Sequence, residues 1–473
     1  MKMKRVLSIG LVLLLAVAAM ATAGGGAAKS GGTTGGVTTI RVWSNDAHNK
    51  LLYDQLVEKF NAGIGAQQGV KVEYTVYGAD YDQVMNVALS SGKEPEMFKG
   101  VSNLGNFQRE GKLLPWKEIP GIDDILKNQE PFHLVDSSIF QGEIYTVCTA
   151  GWSTGFHYNK SLLQRVGYSA PPKTWAEFED AAIKISKLEP GKIYGYAIPL
   201  AFAPGFREWM LEMAAAPSVG HMYYNHTQVK YQFADFTPYL EMISRLREAK
   251  AIFPGMENLT DDQMRAHFAD GNIGFILGGG WNVGVLYDQF PFGGGTTGSP
   301  ANALGWDYAS LPVQNSNQTF AVPVFSGGDK YVSAQVRNDK DKLAKIGHVI
   351  RLFEGDEIQA ESFTAGYGMP LRGDIVAKAA PAARPQWSAY GQSSPIAIVV
   401  PPMPHDFLAP EGADMTAVLS QILTGQVAIA NIRAALTDLD RRYNAALEQA
   451  FQRGVIKRED YTNPNLEALF RRK

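Results

Sequence analysis

Thr39-Ile40-Arg41-Val42-Trp43, then Leu52, Leu56 and Phe60 at four-residue spacing, then Val70-Lys71-Val72-Glu73-Tyr74-Thr75-Val76-Tyr77 form the stretch that decides the fold. The first run reads as a strand and the middle series as a helix stopping near Gly63. In the last run Val70, Val72, Tyr74 and Val76 alternate with Lys71, Glu73, Thr75 and Tyr77, the period of a half-buried strand. Asp80 with Gln83 predicts a capping box for a further helix, whose inner face carries Val84, Met85, Ala88 and Leu89. Pro95 leads into Met97-Phe98, a short third strand, and Leu104 with Phe107 predicts another brief helix before Gly111. Strand and helix in alternation imply an α/β chain with a parallel sheet covered by helices.

The alternation restarts after residue 153. Glu143 to Val147 and Trp152 to Asn159 read as extended segments, and Thr174 with Glu177 caps a helix that buries Phe178, Ala181, Ala182 and Ile185. Tyr194 to Pro199 reads as strand. Thr237-Pro238 opens one helix, and Thr260 with Gln263 opens another that ends at Asp270-Gly271. Leu343, Ile346, Ile350 and Phe353 mark a later helix, and Ile429, Ile432, Leu436, Leu439 and Tyr443 form an apolar stripe near the C-terminus. Pro381 to Pro410, rich in proline and carrying Trp387, Tyr390, His405 and Phe407, reads as an irregular surface-crossing segment.

Upstream of the first strand, Lys2, Lys4 and Arg5 precede an apolar run from Val6 to Ala19 and the small residues Ala21-Thr22-Ala23. That is the pattern of a cleaved export signal over residues 1–23, and the run falls short of the roughly 20 residues a membrane-spanning helix needs. The lone cysteine, Cys148, is not in that region, so a periplasmic product without a lipid anchor is expected. Gly24 to Gly36 has little to bury and reads as a flexible leader. A chain of 473 residues with 45% hydrophobic residues can bury two large cores. A net charge of −3 gives no basic field for nucleic acid or anionic membrane, and one cysteine closes no internal disulfide.

Motifs for chemistry are weak. Gly278-Gly279-Gly280 follows an apolar strand, but the next glycine is Gly284 and no glycine-lysine-serine/threonine element follows, so a tight turn or close backbone approach is the better reading than a phosphate loop. Among the eight histidines no His-Glu-x-x-His pair occurs, and His221 with His226 has no neighbouring carboxylate pattern, so neither metal nor cofactor is expected. No Gly-x-Ser-x-Gly elbow is present, and Cys148 within an apolar strand reads as a buried residue.

Several stretches carry a resemblance. They are Gly142-Glu143-Ile144-Tyr145, Gly155-Phe156-His157-Tyr158-Asn159-Lys160 and Pro172-Lys173-Thr174-Trp175-Ala176-Glu177-Phe178, then Phe268-Ala269-Asp270-Gly271-Asn272-Ile273-Gly274-Phe275 leading to Gly279-Gly280-Trp281. Support comes from Tyr81 to Leu89 with Ser91-Gly92 and Pro95, from Gly111-Lys112-Leu113-Leu114-Pro115 and from Gly366-Tyr367-Gly368-Met369-Pro370. In this order and spacing the chain resembles extracellular solute-binding proteins of the maltose-binding-protein-like group, which serve ATP-driven carbohydrate importers. Two departures, Glu96 after Pro95 and the unmatched segments 202–225 and 381–407, bear on ligand identity.

The resemblance implies a two-lobe periplasmic-binding-protein fold, type II-like, with a cleft between lobes joined by crossing strands. Lobe I is expected over residues 37–152 with about 320–364, and lobe II over 153–319 with about 365–473. Trp152 to Phe156 is the candidate first crossing and Val322 to Tyr331 a candidate return. The resemblance makes Trp281 a stacking platform for a sugar face. Ligands of α/β sheets bind outside the carboxyl ends of strands, which nominates Ser44, Asn45, Asp46, Ser102 and Asn103. Trp152, Trp209, Tyr367 and Trp387 are further aromatic candidates, each weighed against an ordinary place in the core. The expected function is capture of a carbohydrate by a monomer that delivers it to membrane permease subunits. An exported carbohydrate-active enzyme, or a binder of another solute, is the alternative, and Lys99 or Arg207 in the cleft would favour an anionic ligand.

Overall fold

The computed structural model describes residues 36–78, 80–101, 104–132, 138–152, 154–201, 213–299, 302, 304–315, 322–326, 330–380, 384, 386–387, 397–399 and 403–466. The export signal and nearly all of the leader lie outside them. Thr38–Lys473 forms one compact unit. In chain order its strands are β1 (Thr38–Ser44), β2 (Val70–Val76), β3 (Met97–Lys99), β4 (Ile139–Phe140), β5 (Glu143–Ile144), β6 (Ala150–Trp152), β7 (Thr154–Asn159) and β8 (Tyr194–Ala197). There follow β9 (Tyr224–Asn225), β10 (Lys230–Tyr231), β11 (Ile273–Gly279), β12 (Trp306–Ser310), β13 (Val322–Ser326), β14 (Lys330–Val332), β15 (Met369–Pro370) and β16 (Ala397–Val399).

The first sheet has the order β14-β3-β1-β2. β1 runs parallel to β2 and β3, and β14 lies antiparallel on the edge. Ile40, Val42, Val70 and Val72 point into a core completed by Leu56 and Phe60 of the helix Lys50–Ala62 and by Ile346, Ile350 and Phe353 of the helix Lys340–Glu354. The second sheet has the order β12-β7-β11-β8. Here β7 runs antiparallel to both neighbours, so the expectation of parallel sheets holds for neither sheet entirely. Every residue of β11 is buried, because cores form on both of its faces. One contains Phe156, Phe178, Ile243 and Phe275 and takes in the C-terminal helices through Leu419, Ile422, Leu436 and Leu439. The other contains Phe268, Ile276, Trp306 and Trp387.

Among the described residues, segments running between these sheets pair with one another in a small sheet of order β15-β6-β13-β16. β6 joins the segment carrying Val147 of the first core to β7 of the second sheet, and β13 returns from β12 towards β14. The first crossing thus begins at Ala150, two residues before the expected start, and Phe156 already lies inside the second sheet. β16 shows that the proline-rich segment supplies a strand beside β13, not only irregular chain.

Local chemistry explains most boundaries. The Thr174 hydroxyl accepts from the Glu177 amide at 3.2 Å while the Glu177 carboxylate accepts from the Thr174 amide at 3.1 Å, and Thr260 with Gln263 repeats this box. Asp80 departs from expectation: it occupies the N-cap of the helix Tyr81–Ser91 without a side-chain capping bond. The run Glu143 to Val147 also differs: among the described residues only Glu143–Ile144 is strand, paired in the hairpin β4-β5. Within the signature stretch Asn159 caps the next helix, its side chain accepting from the Leu162 amide at 3.0 Å, and the Trp175 indole donates to the Pro312 carbonyl at 3.0 Å. Cys148 is buried, its sulfur 3.8 Å from the Ser138 hydroxyl.

His157, on β7, is fully buried between the rings of Trp306 and Tyr308. Burial, with the charge of Arg265 as a second cause, pushes its pKa down from 6.5 to about 3. The unfolded chain therefore takes up a proton below about pH 6.5 that the folded chain refuses, so stability is full above that pH and falls as pH drops towards 3. Each pH unit in that window costs about 1.4 kcal/mol from this residue. Urea unfolding at pH 6.5 and pH 5 should show a loss about 2 kcal/mol larger in the wild type than in His157→Phe; equal losses would contradict the assignment.

Candidate functional site

β1 delivers its last residues to the carboxyl edge of the first sheet. There the Ser44 hydroxyl accepts from the Asp46 amide and donates to the Asp46 carboxylate, both at 3.0 Å. Asp46 is 1% exposed and sits among basic partners: the Lys99 ammonium donates to it, and the Lys330 ammonium lies 3.8 Å from its other oxygen. Lys99 ends β3 and Lys330 begins β14, and the two are opposite each other in the antiparallel register. Lys330 is fully buried, its ammonium 5.3 Å from the Tyr53 ring centroid and 5.8 Å from that of Phe353. Burial first, then the Asp46 charge, pushes the nearby Tyr74 phenol far above its ordinary pKa.

β11 ends at Gly279, and the helix Trp281–Gln289 begins two residues later. Trp281 is only half-buried, while Asn282 to Tyr287 are all buried. The Trp281 ring folds back over the strand end: a Cβ added at Gly279 would come within 1.9 Å of it. That close approach is the requirement behind the glycine run. A second side chain fixes the far end of the helix, where the Asn302 amide donates to the carbonyls of Leu286, Tyr287 and Phe290 at 3.0, 3.0 and 2.9 Å.

The helix Trp281–Gln289 packs against the turn Ala47–Asn49, which directly follows Asp46. The helix that Trp281 opens and the turn that follows the Ser44–Asp46 corner are thus neighbours, although they follow strands of two different sheets. Asn45 is exposed beside its buried neighbours. Tyr367 is buried against Gly284, and its hydroxyl donates to Asp288 at 2.8 Å. Trp387 is 3% exposed and packs with Phe363 in the core, away from an open surface. Trp152 lies on β6, and Ser102, Asn103, Trp209 and Arg207 lie outside the described residues.

The departure at Glu96 proves structural in its contacts. It precedes β3, at the opposite edge of the sheet from Asp46, where it accepts from the Arg41 amide and guanidinium at 3.0 Å and from Lys342 at 3.3 Å. A pocket lined by Glu94, Glu96, Ser333 and Lys342 shares that far edge and is separate from Trp281. Residues that sequence reasoning missed are Lys330, Asp288 and Asn302: no local pattern marks them, because each acts on a segment distant along the chain.

With this geometry in view, the family model for bacterial extracellular solute-binding proteins matches residues 50–332, more than half of the chain. The chain belongs to that family. Solved structures of similar fold include a solute-binding protein of an ABC transporter from Thermotoga lettingae bound with α-D-tagatose, 19% identical, covering 86% of this chain and 99% of that one with a TM-score of 0.66. The maltose/maltodextrin-binding domain from Bdellovibrio bacteriovorus bound to maltotriose is 15% identical, covering 88% and 100%, with a TM-score of 0.64. The GacH receptor of Streptomyces glaucescens, solved unliganded and with acarbose, is 17% identical, covering 86% and 98%, also at 0.64. These establish the two-lobe fold. Among the described residues of this solute-binding protein no helix is long and apolar enough to cross a membrane.

The buried Asp46 cluster and the half-buried Trp281 predict different losses. Asp46→Ala leaves ammonium groups without their carboxylate and should lower unfolding free energy by about 3 kcal/mol, read by urea denaturation. Trp281→Ala, which removes only a half-buried ring and strands no charge, should lower it by less, about 1–2 kcal/mol. Equal effects of the two changes would contradict this division.

Proposed function

We propose that this protein is the substrate-binding component of an ATP-driven carbohydrate importer, capturing a sugar or oligosaccharide between its lobes and presenting it to membrane permease subunits. The observation that carries the reading is Trp281: a half-buried aromatic ring at the start of a helix whose next six residues are buried, and that helix packs against the turn Ala47–Asn49 just after Ser44, Asn45 and Asp46. Sugars carry C–H groups on their faces and hydroxyls around their edges, so a flat ring beside polar strand ends matches both surfaces. The sugars named for the similar structures, tagatose, maltotriose and acarbose, support the same class.

In this reading lobe I comprises the first sheet with the helices of residues 340–365, and lobe II comprises the second sheet with the C-terminal helices. Export through the 1–23 signal places the monomer in the periplasm, and it carries out no turnover. A ligand that contacts both lobes only when they are together shifts the open-closed equilibrium by its differential affinity. Trp281 with its exposed face covered by a sugar should contribute on the order of 2–4 kcal/mol, so Trp281→Ala weakens binding by roughly 30- to 1,000-fold.

The test is thermal unfolding of the mature, refolded protein against maltotriose, D-tagatose, acarbose and chitin oligosaccharides, with product analysis of each hit. Ligand at a hundred times its dissociation constant should stabilise by about 2.7 kcal/mol, with the sugar recovered intact. A degraded sugar would establish an enzyme instead, and no stabilisation by any sugar would contradict the carbohydrate reading. Gly279→Ala should weaken binding of the same hit at least ten-fold in calorimetry, through displacement of the ring alone; unchanged affinity would place the ligand elsewhere.

A further inference from the structure

A carboxylate sits in the last turn of the helix Trp281–Gln289, where the helix dipole disfavours negative charge. Its presence there is explained by a partner from outside the helix. The Arg384 guanidinium donates to both oxygens of Asp288, at 2.9 and 2.7 Å, and the Tyr367 hydroxyl donates to one of them at 2.8 Å. The side chains of Arg384 and Asp288 are 13% and 14% exposed, so the pair is largely shielded from solvent. Arg384 also lies over the Tyr287 ring, 4.2 Å from its centroid.

The same segment grips the helix at a second point. The Gly284 amide donates to the Gly366 carbonyl at 3.2 Å, and a Cβ at Gly284 would come within 2.8 Å of the Tyr367 ring. Gly366 has φ +80°, a conformation that turns the chain into Tyr367, and the next strand, β15, starts at Met369 and pairs with β6 at Gly151. The helix is therefore tied at its middle and its end to residues beside a crossing strand. Its neighbours come from both sides: Val285 belongs to the first core, whereas Val283 and Leu286 belong to the core behind β11.

We propose that Asp288, Tyr367 and Arg384 are positioning residues that tie the Trp281 helix to the crossing strand β15 and so set how strongly the site binds its solute, an inference that rests on the reading of Trp281 as the binding platform. Motion of one sheet relative to the other about β6 and β15 either carries this clasp or breaks it. When the clasp holds, the Trp281 helix stays packed against the turn that follows the Ser44–Asp46 corner. When it breaks, only a fraction of molecules present the ring there, and apparent affinity falls by that fraction.

The experiment compares the full chain with Asp288→Asn, Tyr367→Phe and Trp281→Ala. In ligand-free protein, amide exchange across residues 281–289 should quicken at least ten-fold in the Asp288 and Tyr367 variants, and X-ray scattering should give a larger radius of gyration. Maltotriose, D-tagatose, acarbose and chitin oligosaccharides serve as the ligand probes, and any that binds the wild type should bind these two variants about ten-fold more weakly. Unchanged exchange overturns the tie. Faster exchange with unchanged radius and, where a probe binds, unchanged affinity also overturns the proposal, leaving a bond of local stability only. The Trp281 variant separates the two readings: if it retains full affinity for a bound sugar the carbohydrate site is elsewhere, whereas affinity lost there and kept in the clasp variants refutes the clasp alone.

Discussion

Burial of one nine-residue helix, Trp281–Gln289, between cores that belong to different sheets is the constraint on which the rest of the molecule depends. Its six central residues, Asn282 to Tyr287, are buried, so it has little polar face to give to water and its ends are satisfied by protein groups. Asn302 takes the carbonyls at one end and Arg384 neutralises the carboxylate beside them. At the other end the strand-to-helix turn is so tight that Trp281 folds onto Gly279. One large apolar surface is left partly open, and its location follows from the packing of everything else.

The first sheet answers with charge. Asp46, Lys99 and Lys330 put paired acidic and basic side chains at the carboxyl ends of β1 and β3 and the start of β14. Desolvating such groups is costly, and their mutual attraction with the Ser44 bonds offsets that cost only while all members remain in place. The corner is consequently rigid. In the proposed site a polar corner on one sheet and an aromatic ring on the other would recognise a solute at little ordering cost, because each is already held by its own packing.

Much of this was legible in the sequence. Alternation over Val70–Val76, the capping boxes at Thr174 and Thr260, and the glycine run before Trp281 are local signals, and local bonds in the structure carry them. The antiparallel course of β7 was not legible, since its residues pair with β11 and β12, more than a hundred residues later in the chain. Aromatic residues showed the same limit. The resemblance set Trp281 above Trp387, but the residue type alone does not separate them; tertiary packing leaves the first half-buried and seals the second at 3% exposure. Asp288 was invisible for the same reason: its partners Tyr367 and Arg384 are 79 and 96 residues away.

The most direct measurement is a crystal structure of the protein with a sugar that stabilises it. The account predicts the sugar between the two sheets, one face stacked on the Trp281 ring and its hydroxyls reaching the Ser44–Asp46 corner, with the helix Trp281–Gln289 held by Asp288, Tyr367 and Arg384. A sugar bound on one lobe alone, or out of contact with Trp281, would contradict it.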